Sequence, residues 1–213
     1  MVSTKHDEAV DTASTPTPPA GASSVLLLAP SLDSAGEETC GHLCSAAVPA
    51  DLNLLSVTLT GGADDVLDRW RRTVDRDLPA EVGIITVGEA TRSAAAVAAD
   101  ESMAASDVKI TSVSNPSDLT GLGIKTSQCL SAWEDSDNET VVCFDSLTTL
   151  LQFAEVRRVF QFLHVLTKRI DSTGATAHFH MDPEAHDQQT KATLKSLFDV
   201  TYELAPDGEW RQI

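Results

Sequence analysis

Short apolar runs rich in β-forming residues alternate with helical patterns along most of this chain. Continuous apolar runs of this kind are typical of strands buried on both faces of a parallel sheet. The alternation therefore predicts an α/β fold with a mostly parallel central sheet flanked by helices. The runs are VLLLA at 25–29, NLLSVTL at 53–59, VGIITV at 82–87, VKITSV at 108–113, TVVCF at 140–144 and ATAHFHM at 175–181.

Three helical patterns lie between or after these runs. The clearest covers 155–170, where apolar residues recur at the spacing of one buried helical face. A second begins at Asp118, a residue type favoured as an N-cap, and a third covers 187–198. These patterns predict helices that pack on the sheet.

Two segments lack the periodicity of a packed core. Residues 1–23 are rich in Thr, Ser, Pro and Ala, which predicts a disordered N-terminal tail. Nearly all apolar positions of 90–106 are Ala, which predicts a flexible surface segment. Because a typical domain has about 150 residues, we expect residues 24–213 to form a single domain.

The chain is strongly acidic, with 15 Lys and Arg against 32 Asp and Glu and a formal net charge of −17. Duplex DNA and anionic membranes both select proteins with a basic face, so the charge argues against either partner. The acidic residues are dispersed, which is typical of halophilic proteins; the alternative is an acidic protein made for a basic partner. Without an apolar signal region or a run of about 18 apolar residues, we expect a cytoplasmic protein.

The strand-like run VVCFDS at 141–146 ends in Asp145 and Ser146. It resembles the Walker B strand of RecA-type P-loop ATPases, whose terminal Asp holds the water shell of Mg²⁺. A simpler alternative is that these two residues cap the next helix. The order of elements that follows, up to TLKSLFDVTYELAP, resembles the second half of the KaiC/RadA branch of the RecA-like family.

In that family the first strand leads into the phosphate-binding loop G-x-x-x-x-G-K-[ST], but here it leads into SLDSAGEET. With Gly36 aligned on the second glycine, Ser31 replaces the first, and Glu37 and Glu38 replace Lys and the hydroxyl residue. A carboxylate there repels a phosphate by about 1 kcal/mol or more per close pair. Thr60-Gly61-Gly62 stands where the branch has its catalytic acidic residue. We therefore expect a degenerate phosphate loop and no ATP hydrolysis.

The whole chain resembles an uncharacterised haloarchaeal family of RecA/KaiC-like proteins that lack a Walker A motif and are sometimes labelled HTR-like (transducer-like). The resemblance covers residues 24–204 in the order of elements and is most specific over 140–204. It implies a RecA-like core, and its link to signalling is by association only. The segments that carry it are VLLLAPS, ITVGEATRSA, DLTGLGI, VVCFDSLTTLLQ and HFHMDPEAHD.

Four candidate metal ligands, His178, His180, Asp182 and His186, lie within nine residues. On a strand His178 and His180 share one face, and a turn after Asp182 would bring His186 back towards them. This set suits Zn²⁺ or Mn²⁺. The alternative is that the histidines hydrogen-bond at the rim of the sheet, while Asp182 begins a helix.

The four cysteines also suggest a metal or a disulfide, but their contexts favour another interpretation. Cys40 and Cys44 are four residues apart, the spacing of two core positions on one helix face. Cys129 lies in a helical pattern and Cys143 in a strand pattern, so we expect buried, reduced thiols.

Together these observations predict a non-catalytic protein with an intracellular signalling or regulatory role, acting through another protein or through oligomers of RecA-like domains, without a cofactor. Ligands of parallel α/β sheets bind at the carboxyl ends of the strands. The candidate docking rim there contains Glu89, Arg92, Asp145 and His180. The alternatives are an unorthodox nucleotide-binding ATPase, a metal-dependent enzyme using the His178–His186 cluster, and DNA-associated regulation, which the charge disfavours.

Overall fold

The computed structural model describes residues 15–31, 33–44, 48–74, 78–88 and 107–213. Within them, the strands are β1 (Ser24–Leu28), β2 (Leu52–Thr58), β3 (Glu81–Val87), β4 (Asp107–Val113), β5 (Glu139–Asp145), β6 (Thr176–Met181), β7 (Val200–Leu204) and β8 (Trp210–Gln212). The helices are α1 (Ser34–Cys44), α2 (Ala63–Val74), α3 (Leu119–Trp133), α4 (Leu147–Phe153), α5 (Val156–Ser172) and α6 (Gln188–Lys195), with short 3₁₀ helices at Pro49–Asp51 and Pro183–Ala185.

The strands form one sheet in the order β4-β3-β2-β5-β6-β1-β7-β8. Neighbouring strands pair in parallel, except that β8 runs antiparallel to β7. After β4 the chain returns to the middle of the sheet and inserts β5 between β2 and β6. This confirms the predicted α/β fold with a mostly parallel central sheet.

Both faces of the sheet are covered, which explains the continuous apolar runs. On β5, Val142 and Phe144 face the main core formed with α3 and α5. Val141 and Cys143 face the opposite side, where they pack with residues of α1 and α2 that include Trp70. Alternation along one strand therefore serves two apolar layers.

The helices lie close to the predicted positions. Asp118 caps α3 by accepting a hydrogen bond from the Gly121 amide at 2.8 Å. α5 covers Val156–Ser172, against the predicted 155–170, and α6 is shorter than its predicted range. None of the helices in the described ranges combines the length and the apolar character needed to cross a membrane.

Two predicted features fall partly or wholly outside the described residues: the first part of the N-terminal tail and the 90–106 segment. Closer to the domain, the Thr17 carbonyl accepts a hydrogen bond from Tyr202 Oη at 2.7 Å. The Ser23 amide donates to Asp199 at 3.0 Å. The contacts of the domain therefore begin before Ser24.

Candidate functional site

A crevice opens at the carboxyl ends of β1, β2, β5 and β6, where the loops that follow these strands meet. Its volume is about 580 Å³. This is where parallel α/β sheets bind ligands. Its polar lining consists of Ser31, Asp33, Thr60, Asp65, Arg69, Arg72, Asp145, Ser146, Thr148, Thr149, Gln152, His180 and Asp182.

Asp145, the last residue of β5, forms an ion pair at the floor of the crevice. Its Oδ2 lies 3.1 Å from Nη1 of Arg69 on α2, and the two side chains are 19% and 20% exposed. The same oxygen accepts a hydrogen bond from Thr60 Oγ1 at 3.2 Å. Burial lowers the pKa of Arg69, but the charge of Asp145 raises it above its ordinary value. The Asp145 carboxylate is thus matched by a cation of the chain itself.

Ser146 caps the next helix, as the simpler alternative predicted. Its Oγ accepts a hydrogen bond from the Thr149 amide at 3.2 Å at the start of α4. The peptide bond between Asp145 and Ser146 is cis. Asp145 lines the crevice, and Ser146 stabilises the start of α4.

The loop after β1 donates its amides to carboxylates of this chain. The Ser31 amide donates to Asp182 Oδ2 at 2.9 Å, and the Ala35 amide donates to Asp33 Oδ1 at 2.9 Å. Partial burial raises the pKa of Asp182, but hydrogen bonds from Ser31 and Glu184 lower it below its ordinary value overall. Two amides in the region that a phosphate loop uses to bind phosphate are thus already occupied.

These carboxylates are not Glu37 and Glu38, the two that comparison with the phosphate-loop motif predicts. Gly36 lines the crevice, as expected for the loop. Glu38 is exposed on α1, and the side chain of Glu37 lies outside the description. The carboxylates at the loop amides belong instead to Asp33 and Asp182. Asp182 directly follows the carboxyl end of β6.

The structure brings together two of the four candidate metal ligands and separates them from the other two. His178 and His180 share one face of β6, where His178 contacts Cys40 of α1 and His180 lies near Cys143 of β5. Asp182 instead binds the Ser31 amide and caps the 3₁₀ helix at the Glu184 amide. His186 Nε2 lies 3.2 Å from Thr148 Oγ1. The chain turns away after Met181, so the last two candidates leave the face that holds the first two.

His178 and His180 meet two cysteines that sequence reasoning assigned only to the core. Within the described ranges, one group of residues has the ligand types and spacing to hold a metal ion: Cys40, Cys143, His178 and His180. All four cysteines are free thiols. Because Cys40 and Cys143 are 103 residues apart, no local spacing motif connects them.

The electrostatics of this cluster centre on Cys40. Contacts with the thiols of Cys143 and Cys44 lower the pKa of Cys40 well below its ordinary value, against the effect of burial. Contacts with the thiols of Cys40 and Cys44, together with burial, raise the pKa of Cys143 well above its ordinary value. Burial lowers the pKa of His180, but Cys40 and Asp145 raise it above its ordinary value overall. Among the thiols of the cluster, the one with the lowered pKa is Cys40.

The remaining predicted rim residues, Glu89 and Arg92, lie outside the described residues. Within the part of the chain that the structure describes, the guanidinium groups lining the crevice belong to Arg69 and Arg72 of α2. Sequence reasoning did not identify these two residues. They are three residues apart, so they lie on one face of α2, but this spacing does not indicate that α2 borders the end of β5.

Three solved structures are similar to this chain in fold, at low sequence identity. An uncharacterised Pyrococcus horikoshii protein, solved in complex with an unknown peptide, has 12% identity and a TM-score of 0.56, covering 89% of this chain and 81% of that one. A second Pyrococcus horikoshii protein has 10% identity and a TM-score of 0.55, covering 90% and 85%. EscN, the type III secretion ATPase of enteropathogenic E. coli, has 12% identity and a TM-score of 0.52, covering 88% and 44%.

These similarities show the fold alone: an α/β architecture that this chain shares with a type III secretion ATPase and that is consistent with a RecA-like core. No curated protein sequence matches the chain. One family of sequences matches residues 22–204, which is most of the chain. The chain therefore belongs to DUF7504, a family of unknown function.

Proposed function

We propose that this protein is a non-catalytic RecA-like domain with an intracellular regulatory or signalling role, which acts by binding another protein at the crevice. The observation that carries this proposal is the occupation of the loop after β1 by the chain's own carboxylates. The amides of Ser31 and Ala35 donate to Asp182 and Asp33. A triphosphate would have to displace these carboxylates before it could use the amides.

Charge adds a second argument against nucleotide hydrolysis. Each carboxylate near a bound phosphate opposes binding by about 1 kcal/mol or more at close range. Asp145, which would have to hold the water shell of Mg²⁺, is already paired with Arg69. Its role in this proposal is to fix α2 against the end of β5.

The shape and charge of the crevice suit a basic segment of a partner protein. It is open to solvent, and exposed Asp33 and Asp65 lie at its rim with half-buried Asp182. Arg72 is the exposed guanidinium beside them. A Lys or Arg side chain of the partner would therefore find more carboxylates than cations at the entrance.

The first experiment tests nucleotide binding. A ligand present at about 100 times its Kd adds about 2.7 kcal/mol to the free energy of unfolding. We expect Mg-ATP to leave the melting temperature of the protein in molar KCl unchanged, and we expect no hydrolysis above background. Saturable hydrolysis that disappears in the Asp145→Ala variant would contradict the proposal.

The second experiment tests the docking surface with one exposed position, Gln152, at the edge of the crevice. For a basic partner, Gln152→Arg should weaken capture from a cell lysate and Gln152→Glu should retain it. The double variant Arg157→Ala, Arg158→Ala on the exposed side of α5 is the control and should retain capture. Loss in the α5 variant with retention in Gln152→Arg would place docking on the helical face.

Nucleotide binding by an unorthodox route is the alternative function. It is favoured by Arg69 and Arg72, because two guanidinium groups in one crevice can bind a phosphate without a phosphate loop. The Mg-ATP experiment separates the two proposals, because this alternative requires that Mg-ATP raise the melting temperature and that the rise depend on Arg72.

A further inference from the structure

A buried cluster of thiol and imidazole groups connects three elements of the fold. Cys40 belongs to α1, Cys143 to β5, and His178 and His180 to β6. Cys143 and His178 are register partners on adjacent strands, so their side chains lie side by side on the same face of the sheet. Cys40, Cys143 and His178 are only 5%, 4% and 2% exposed. These groups therefore depend on one another, rather than on solvent, for their polar contacts.

The distances within the cluster are close to those in the ligand shell of one tetrahedral ion. Cys40 Sγ lies 3.0 Å from Cys143 Sγ and 3.2 Å from His178 Nε2. Cys143 Sγ lies 3.8 Å from His180 Nε2, and the four ligand atoms all lie within 4.8 Å of one another. Zn–S bonds of about 2.3 Å and Zn–N bonds of about 2.0 Å place tetrahedral ligand atoms about 3.3–3.8 Å apart. Small side-chain rotations would bring the four to that separation.

The types of ligand select the metal. Two sulfurs and two imidazole nitrogens form the set, and it contains no oxygen ligand, which excludes Mg²⁺ and Ca²⁺ as the natural occupants. Tetrahedral sites with two sulfur and two nitrogen ligands are typical of zinc. We propose that Cys40, Cys143, His178 and His180 form a structural zinc site between α1 and the sheet.

Cys44 is a neighbour of this site rather than a ligand. Its Sγ lies 3.7 Å from His178 Nε2, one helical turn beyond Cys40. It is not in the group whose ligand atoms all lie within 4.8 Å of one another.

The position of the site defines its role. α1 begins directly after the loop that borders the crevice, and Asp145 follows Cys143 by two residues on β5. His180 lines the crevice as well as the metal cluster. With four protein ligands no coordination position is left for substrate, so the zinc is structural. It fixes α1, β5 and β6 to one another and holds the floor of the crevice in place.

The test begins with the metal content of the full-length protein, purified under reducing conditions and without chelators. We expect one zinc per chain by elemental analysis. After exchange into Co²⁺, we expect the thiolate-to-cobalt charge-transfer absorption and the strong visible bands of tetrahedral cobalt. A folded chain with reduced thiols that takes up neither zinc nor cobalt would overturn the proposal.

Two ligand variants and one matched control assign the site. Cys143→Ser and His180→Ala should each lose the zinc after desalting and lose the cobalt spectrum. Cys129→Ser changes a half-buried cysteine of α3 on the other side of the sheet and should keep both. Loss of zinc in Cys129→Ser, with retention in Cys143→Ser, would overturn the assignment.

A measurement on the wild-type chain covers the case in which the ligand variants fail to fold. Removal of the metal with a chelator should lower the melting temperature, and Zn²⁺ but not Mg²⁺ should restore it. An unchanged melting temperature after complete removal of zinc would contradict a structural role. Mass spectrometry of protein produced in a reducing cytoplasm gives a further check. A disulfide between Cys40 and Cys143 in that protein, without bound metal, would likewise overturn the site.

Discussion

Arg69 and Asp145 form an ion pair at the floor of the crevice that neutralises the Asp145 carboxylate. Both side chains are about four-fifths buried, and they join α2 to the end of β5. The sequence places them 76 residues apart. A carboxylate that would otherwise attract a cation from solvent is therefore satisfied inside the chain.

Removal of Arg69 should destabilise the fold because it leaves the carboxylate of Asp145 largely buried and without its cation. We expect Arg69→Ala to lower the free energy of unfolding by about 1–3 kcal/mol, measured by chemical denaturation. The control is Arg71→Ala on the same helix. Arg71 pairs with Asp68 at the surface, where both side chains are largely exposed, so its loss should cost less than about 1 kcal/mol. Equal losses in the two variants would contradict this prediction.

Asp199 stabilises the start of β1 through one carboxylate oxygen. Oδ2 accepts hydrogen bonds from the amides of Ser23 and Ser24 at 3.0 and 2.9 Å and from their hydroxyls at 3.1 and 2.9 Å. Partial burial raises the pKa of Asp199, but the hydrogen bonds from Ser24 and Ser23 lower it below its ordinary value overall. The folded state therefore favours the charged carboxylate.

This shift predicts a loss of stability in acid. A carboxyl whose pKa is lower in the folded state stabilises the fold above the pKa of the unfolded chain, about 3.9. That contribution is lost as the pH falls through the folded-state pKa. We expect the difference in melting temperature between wild type and Asp199→Asn to be largest near neutral pH and to shrink below about pH 4. A difference that stays constant down to pH 3 would show that the charge of Asp199 is not involved.

At the scale of elements, local signals and packing agree for most of the chain. The Asp118 cap and the apolar stripe of α5 predict helices close to those observed. α6 ends before its predicted limit because Phe198 packs against Phe179, with ring centroids 5.0 Å apart, and the chain enters β7 at Val200. β8 has no independent signal, since its three residues depend on pairing with β7.

The cap of α3 offers a test at this scale. Asp118→Ala removes the acceptor of the Gly121 amide and should lower the free energy of unfolding by about 1 kcal/mol. Asp118→Asn retains a capping oxygen and should lose much less. Denaturation of both variants measures the difference, and a loss of equal size would assign the effect to charge rather than to the cap.

The whole chain carries a formal net charge of −17. Self-repulsion of this size opposes the compact state, and salt screens it, with a Debye length of about 3 Å at 1 M. We propose a salt-accumulating source for the chain. We expect reversible, cooperative unfolding only above about molar KCl. Circular dichroism against KCl concentration measures this, and a full transition in dilute buffer would instead support a specific basic partner.

The parts of this protein that depend on local pattern could be predicted without the structure. Continuous apolar runs specify strands covered on both faces, because any polar residue there would be buried. Helical periodicity and capping residues specify α3 and α5, because their interactions extend over only three or four residues. The absence of G-K-[ST] after the first strand also needs no structure to be recognised.

Which of these elements meet could be learned from the folded chain but not from local pattern. The insertion of β5 between β2 and β6 brings Cys143 beside His178 and, under α1, beside Cys40. The meeting of loops at one edge of the sheet brings Asp182 to the amide of Ser31, 151 residues earlier in the chain. Such contacts depend on strand order, which follows from the packing of the whole domain. Periodicity along the chain gives the face on which a side chain lies, but not the neighbour that it meets there.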